Sequence, residues 1–185
     1  KPLIALRKKL AVLEACHYLE GTTLTDKGTI CAKINGFEIQ LTELFWEGCF
    51  EDLDPLQLAV MCAAIIFEPR SSDIGQSKGL SLNPIPDNIR NRAAKRVQEF
   101  RRAESQEKCL ELIRPLDFSM AGAIVAWSQG ATLQDMRDHT IMQDGDLVRA
   151  QLFRITNARE HQQLRRVDDA SCKQYFAIRA SDRRL

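Results

Sequence analysis

The stretch Asp54-Pro55-Leu56-Gln57-Leu58-Ala59-Val60-Met61-Cys62-Ala63-Ala64-Ile65-Ile66-Phe67 decides the fold class. An aspartate directly before a proline is a helix start. The carboxylate caps free backbone N–H groups, and proline tolerates the first helical position because its missing N–H has no partner there anyway. The residues behind it are apolar on nearly all sides, with Leu56, Leu58, Val60, Met61, Ile65 and Ile66 spread around the wheel. A helix without a polar face belongs in the middle of a bundle, wrapped by other elements. Leu58 to Phe67 is the longest apolar stretch of the chain, and it falls well short of the roughly 20 residues needed to cross a bilayer.

Outward from this helix the period stays helical. Upstream, Leu3, Leu6, Leu10, Leu13 and His17 repeat every three or four residues, predicting an amphipathic helix that ends near Gly21. Thr25 is placed to cap a short helix through Ile34, and Asn35-Gly36 ends it. A third helix runs from Glu38 or Gln40 to Glu47, where Gly48 stops it. Downstream, residues 69–86 form an irregular, serine-rich stretch with Pro69, Gly75, Gly79, Pro84 and Pro86, and are expected to be a mobile loop. A long helix is predicted from Asp87 to Arg114, with Ile89, Ala93, Val97, Phe100, Leu110 and Ile113 as its buried stripe, a polar interruption at 104–108 and Pro115 closing it. Ser119 is expected to cap a helix through Trp127, whose indole should join Met120 and Ile124 in the core, with Gly130 as the stop. Thr132 caps a short helix to about His139. Asp144-Gly145-Asp146 leads a helix to about Arg165, and an amphipathic stretch over 170–179 precedes an arginine-rich tail at 181–185. No β-alternation persists and no segment repeats. The expectation is an all-α, irregular bundle of about eight helices around the apolar central one, forming a single domain over 1–185.

The 185 residues are 44% hydrophobic and 28% charged, which excludes a disordered chain, a collagen-like fibre and a disulfide scaffold. Charge is balanced at a net +1, yet unevenly spread. Residues 1–86 lean acidic and residues 149–185 lean basic, a distribution compatible with a nucleic-acid face towards the C-terminal end. The six cysteines form no C-x-x-C and no zinc spacing with histidine, so they read as reduced, mostly buried thiols in a cytoplasmic, reducing setting.

Catalytic signatures are missing. Gly75-Gln76-Ser77-Lys78-Gly79 has its lysine before the closing glycine and lacks the strand of a phosphate loop. Asp144-Gly145-Asp146 does not continue into a calcium loop. His17, His139 and His161 lie on separate predicted helices. Neither a cofactor nor a metal is expected in this chain. Lys1-Pro2 opens inside a helical pattern without an initiator methionine, as in a piece cut from a longer polypeptide.

Six segments, taken in order, carry a resemblance. They are Leu24-Thr25-Asp26-Lys27-Gly28; Leu41-Thr42-Glu43-Leu44-Phe45-Trp46-Glu47-Gly48-Cys49-Phe50; Leu53-Asp54-Pro55-Leu56-Gln57-Leu58-Ala59; Ile66-Phe67-Glu68; Val125-Ala126-Trp127-Ser128-Gln129-Gly130-Ala131-Thr132; and Asp144-Gly145-Asp146-Leu147-Val148-Arg149. Together they resemble the DSHCT domain, the C-terminal helical domain of superfamily II RNA helicases that feed the RNA exosome, and of their bacterial relatives. The resemblance implies a parent with two upstream motor domains that use ATP and Mg²⁺. It also implies that this chain packs on those motors and guides a single strand, with RNA favoured and DNA left open, as an accessory part of the enzyme. The implied contacts to nucleic acid are Arg149 and Arg154, which offer guanidinium groups to phosphates or bases, and Glu68 and Arg70 at the edge of the loop. Where the family usually has a basic pair this chain has Leu152 and Phe153, and Phe153 is a candidate for stacking on a base. Two other readings stay open: a free-standing helical protein-interaction module, and a DNA-binding regulator with a winged-helix-like start. Against the latter, Asp26 to Ile34 supplies only Lys27 and Lys33.

Overall fold

The computed structural model describes residues 2–68, 83–137 and 139. Among them are seven α-helices and one two-stranded hairpin, so the all-α class holds. The order is α1 (Pro2–Ala15), β1 (Leu19–Glu20), β2 (Thr23–Leu24), α2 (Asp26–Cys31), α3 (Glu38–Trp46), α4 (Pro55–Ile66), α5 (Asp87–Gln106), α6 (Ala121–Ser128) and α7 (Leu133–Arg137). The helices expected over 144–165 and 170–179 lie outside the described residues, as do 69–82.

The central helix begins as its sequence requires. The Asp54 carboxylate accepts from the N–H groups of Leu56 and Gln57, each at 2.8 Å, and Gln57 Oε1 accepts from the Asp54 N–H at 3.0 Å. This reciprocal box satisfies donors that the first turn leaves free, contributing about 1 kcal/mol. Val60, Met61, Ala64 and Ile65 are buried, while Leu56, Leu58, Cys62 and Ile66 are half-buried. α6 packs on α4 and is lined with small buried residues (Ala121, Gly122, Ala123, Ala126), which let the two helices come close. A second cluster of Val12, Tyr18 and Phe100 joins α1, the hairpin and α5. The Tyr18 and Phe100 rings meet edge to face with centroids 6.0 Å apart.

Three helix ends differ from expectation. α2 stops at Cys31 rather than Ile34, its last turns closing as the Lys33 N–H reaches the Ile30 carbonyl and the Ile34 N–H the Cys31 carbonyl, each at 3.1 Å. The other two share one reason. α1 stops at Ala15 rather than near Gly21, because His17 takes a left-handed conformation (φ 61°). The Tyr18 N–H then reaches back to the Leu13 carbonyl at 2.8 Å and the His17 N–H to Glu14 at 3.0 Å. That is a Schellman end. α5 stops at Gln106 in the same way: Lys108 has φ 54°, and the Cys109 N–H reaches the Glu104 carbonyl at 2.9 Å. Past that break the predicted stripe loses its phase. Leu110 is 93% exposed and Ile113 is only half-buried. The chain freed by the first break pairs Leu19 with Leu24 and Glu20 with Thr23, a hairpin too short to register as alternation.

Three smaller expectations also change. Ser119 does not cap α6: its N–H and hydroxyl both donate to Asp117 Oδ1, at 2.9 and 2.5 Å, and Met120 occupies the cap position. Trp127 is 40% exposed rather than in the core, because it stands in the last turn of α6, where burial ends and residues 127–130 are all exposed. The end of the predicted loop is packed: Ile85 is buried, and the Pro84 carbonyl accepts from Gln57 Nε2 at 3.1 Å.

Candidate functional site

The motif Leu24-Thr25-Asp26-Lys27-Gly28 is a clamp around the turn that follows α1. Thr25 Oγ1 donates to the His17 carbonyl at 2.7 Å and accepts from the Gly28 N–H at 3.1 Å, so one hydroxyl both caps α2 and holds the turn. The Thr25 N–H donates to the Tyr18 carbonyl at 3.1 Å. Gly28 packs so closely on that carbonyl that a Cβ there would stand 2.1 Å from its oxygen. Lys27 is 3% exposed; its ammonium donates to the Cys16 carbonyl at 3.0 Å and lies 4.3 Å from the centre of the Tyr18 ring.

The second motif meets the first at a charge. Glu43 is 1% exposed and receives three donors: Tyr18 Oη at 2.7 Å, Lys27 Nζ at 2.6 Å and Arg96 Nε at 2.6 Å. Burial, and then the neighbouring carboxylate, push the Tyr18 phenol far above its ordinary pKa, so it remains a donor at any working pH. Burial opposes the charge on Arg96, but Glu43 and the hydrogen bond to it outweigh that and raise its pKa. A buried carboxylate with two cations and a hydroxyl is a structural tie, and removing one partner strands the others. A second tie lies at the other end of α5. Glu104, also 1% exposed, accepts from Lys9 Nζ at 2.7 Å and from the Ile113 N–H at 2.6 Å. Burial raises the thiol pKa of Cys16 and of Cys31, which makes them poor nucleophiles.

Of the residues nominated for strand contact, Glu68 is described. Arg70, Arg149, Phe153 and Arg154 lie outside the described residues. Glu68 stands just past α4 with its side chain 73% exposed, and Arg114 Nη1 reaches its Oε2 at 2.6 Å. The Arg114 guanidinium lies 5.2 Å from the centre of the Phe37 ring. An ion pair this exposed adds about 0–1 kcal/mol to stability, and the ring contact a similar amount. The arrangement brings together a carboxylate, a planar cation and an aromatic face. Arg114 and Phe37 had no signal in the sequence: one precedes Pro115 in what reads as a helix end, the other follows Gly36 in what reads as a turn. Among the described residues no three His, Cys, Asp or Glu side chains converge as a metal site, and no helix is long and apolar enough to cross a membrane.

Comparison with known proteins bears on the whole chain. It is 28% identical over 127 residues to the ATP-dependent RNA helicase mtr4 of Schizosaccharomyces pombe, covering 66% of this chain and 11% of that protein. It is 27% identical over 158 residues to the DExH-box ATP-dependent RNA helicase DExH10 of Arabidopsis thaliana, covering 77% of this chain and 14% of that one. The chain thus spans a small part of the length of these relatives. The model of the DSHCT (NUC185) domain matches residues 21–174, taking in both the Thr25 clamp and the Glu43 tie, and by that match the chain belongs to the DSHCT family.

Proposed function

We propose that this chain, as a single domain over 1–185, is the helical accessory part of an ATP-dependent RNA helicase. It packs on motor domains elsewhere in the same polypeptide and guides the single strand that they move. The observation that carries this reading is the family match over residues 21–174, whose relatives bear the names of ATP-dependent RNA helicases. ATP and Mg²⁺ belong to the motors. This chain has no phosphate loop to hold the nucleotide, so its own work is to position the strand. A cytoplasmic setting is part of the same proposal, supported by five described cysteines that are all free thiols.

The architecture supports a rigid guide. The Thr25 and Glu43 motifs are spent on ties that fix α2, α3 and α5 and the end of α1 against one another. The regulator reading loses support at α2, which is six residues long and buries Lys27, so it presents no basic recognition face.

Titration of single-stranded RNA binding with salt tests the proposal. Affinity should fall steeply, with a log–log slope of about −0.7 for each phosphate contacted. Arg149→Glu should weaken binding and flatten the slope. A salt-independent affinity, or none at low salt, would leave a protein-interaction module instead, and an unchanged Arg149→Glu would strike that residue from the site.

A further inference from the structure

We propose that the outward face of α5, bearing Arg92, Lys95 and Arg102, is a further contact surface for the RNA strand, one that holds it by its phosphates. This rests on the strand-guiding reading and adds to it a surface to which none of the nominated contacts belongs.

α5 uses its cations in two ways. Ile89, Ala93, Val97, Phe100 and Glu104 form its buried face. The arginines flanking that face are engaged by the fold: Arg90 with Asp87, Arg96 with Glu43 and Glu99, and Arg101 with the Ile113 carbonyl. Arg92, Lys95 and Arg102 are exposed, and among the described residues none of them meets a carboxylate. Arg92 reaches the Gly48 carbonyl at 3.4 Å, a weak contact. At about 100° per residue the three lie within a sector of about 80°, on the side away from the core, along about 15 Å of helix. The carboxylates of α5 are all taken up by other cations: Asp87 by Arg90, Glu99 by Arg96 and Glu104 by Lys9. A helix face that only meets water gains from opposite charges three or four residues apart, and like charges at that spacing destabilise it. Here Arg92 and Lys95 stand three apart with the same sign, and the outer face keeps its positive charge.

The composition of this face suits phosphates. Beyond Asp87 the other exposed residues of α5 are Asn88, Asn91, Ala94, Gln98, Ser105 and Gln106, none of them acidic. Arginine and lysine neutralise phosphates and release their counterions, and amide and hydroxyl side chains add neutral hydrogen bonds to phosphate oxygens. No aromatic ring stands among these residues for a base to stack on. Such a surface tracks the backbone without reading sequence, which is what a moving strand needs from its guide.

The test is binding of single-stranded oligouridylate to the 185-residue chain, titrated with salt. Each of Arg92→Gln, Lys95→Gln and Arg102→Gln should lower the log–log slope by about 0.7 and weaken binding about fivefold at about 0.1 M salt. The triple variant should lose about 2 from the slope and roughly a hundredfold in affinity. Oligoadenylate should show the same losses, since the contacts are to phosphate. Arg7→Gln and Lys33→Gln, which remove exposed cations on α1 and just past α2, should leave the slope as it is. Arg92→Lys with Arg102→Lys keeps the charge and should keep the slope; a drop as large as that of the glutamine variants would overturn a contact made by charge. An unchanged slope in the triple variant overturns the proposal, whether its affinity holds, which leaves the face to an acidic protein segment or to water, or falls together with its melting temperature, which marks a damaged fold. If Arg149→Glu flattens the slope and the triple variant does not, this inference alone fails. No binding of the unaltered chain at low salt overturns the guiding reading as well.

Discussion

Gly28→Ala is the smallest change that tests the clamp. The added methyl would stand 2.1 Å from the Tyr18 oxygen, 3.1 Å from its carbonyl carbon and 3.0 Å from Leu24 Cδ2. Relief needs a shift of about 1 Å, and a backbone carbonyl cannot swing aside as a side-chain tip can. That carbonyl already accepts from the Thr25 N–H at 3.1 Å, and its residue donates to Glu43 from the other end of the ring at 2.7 Å. Overpacking of this kind costs about 1–3 kcal/mol, and loss of the Thr25 bond adds about 1. Alanine returns about 0.5–1 kcal/mol by favouring the helix. The net loss is roughly 2–3 kcal/mol, a large share of the 5–15 kcal/mol typical of a domain. In urea, with a slope of about 1–3 kcal/mol per molar, the midpoint should fall by about 1 M or more. A midpoint that stays put or rises would refute the close approach, since helix propensity alone predicts a gain.

Other outcomes follow from the same geometry. Glu43→Ala strands Lys27 and Arg96 without their carboxylate and should cost about 3–5 kcal/mol in a chemical melt, with a loss under 1 kcal/mol counting against the tie. Lys108→Gly should stabilise by about 0.5–1 kcal/mol, because glycine relieves the left-handed strain at φ 54°; a lower melting temperature would contradict that end of α5. Hydrogen bonds from Thr132 hold the Asp135 carboxyl below its ordinary pKa, so its cap is intact above the unfolded value and is lost as pH falls through the lower folded value. Thr132→Ala should move the Asp135 titration upward when followed by carboxyl NMR. Cys16 and Cys31, their pKa values raised by burial, should react with iodoacetamide at pH 8 far more slowly in the folded chain than in urea, as read by peptide mass mapping.

The starts of helices were legible because their signals are local. Asp54-Pro55 and Thr25 act within three residues, and both caps form as read. Helix ends were legible only where glycine marks them. Gly48 and Gly130 take positive φ at Schellman ends, and both stops stand where the sequence suggests. His17 and Lys108 make the same turn without the usual residue, so α1 and α5 looked too long and the hairpin was hidden. Nothing local marks Glu43 or Glu104 as buried, because their partners Arg96 and Lys9 are 53 and 95 positions away. For the site, Glu68 could be nominated from a motif, but Arg114 and Phe37 become its neighbours only through tertiary packing.

The Glu104 tie also sets an order of events during synthesis. Lys8 and Lys9 reach carbonyls and a carboxylate 95 to 102 positions later in the chain. At about 5–20 residues per second, roughly 5–20 s pass between the emergence of α1 and that of its anchors. Until then α1 is held at its C-terminal end alone, by the hairpin, the Thr25 and Lys27 bonds to His17 and Cys16, and its cluster partners Cys31 and Ile39. Its Leu3, Ile4, Leu6 and Leu10, exposed even in the finished fold, meet the cellular milieu before the lysine anchors form. A ribosome-bound chain arrested before residue 104 should therefore be captured by factors that grip short apolar helices, and one arrested well beyond residue 113 should be released.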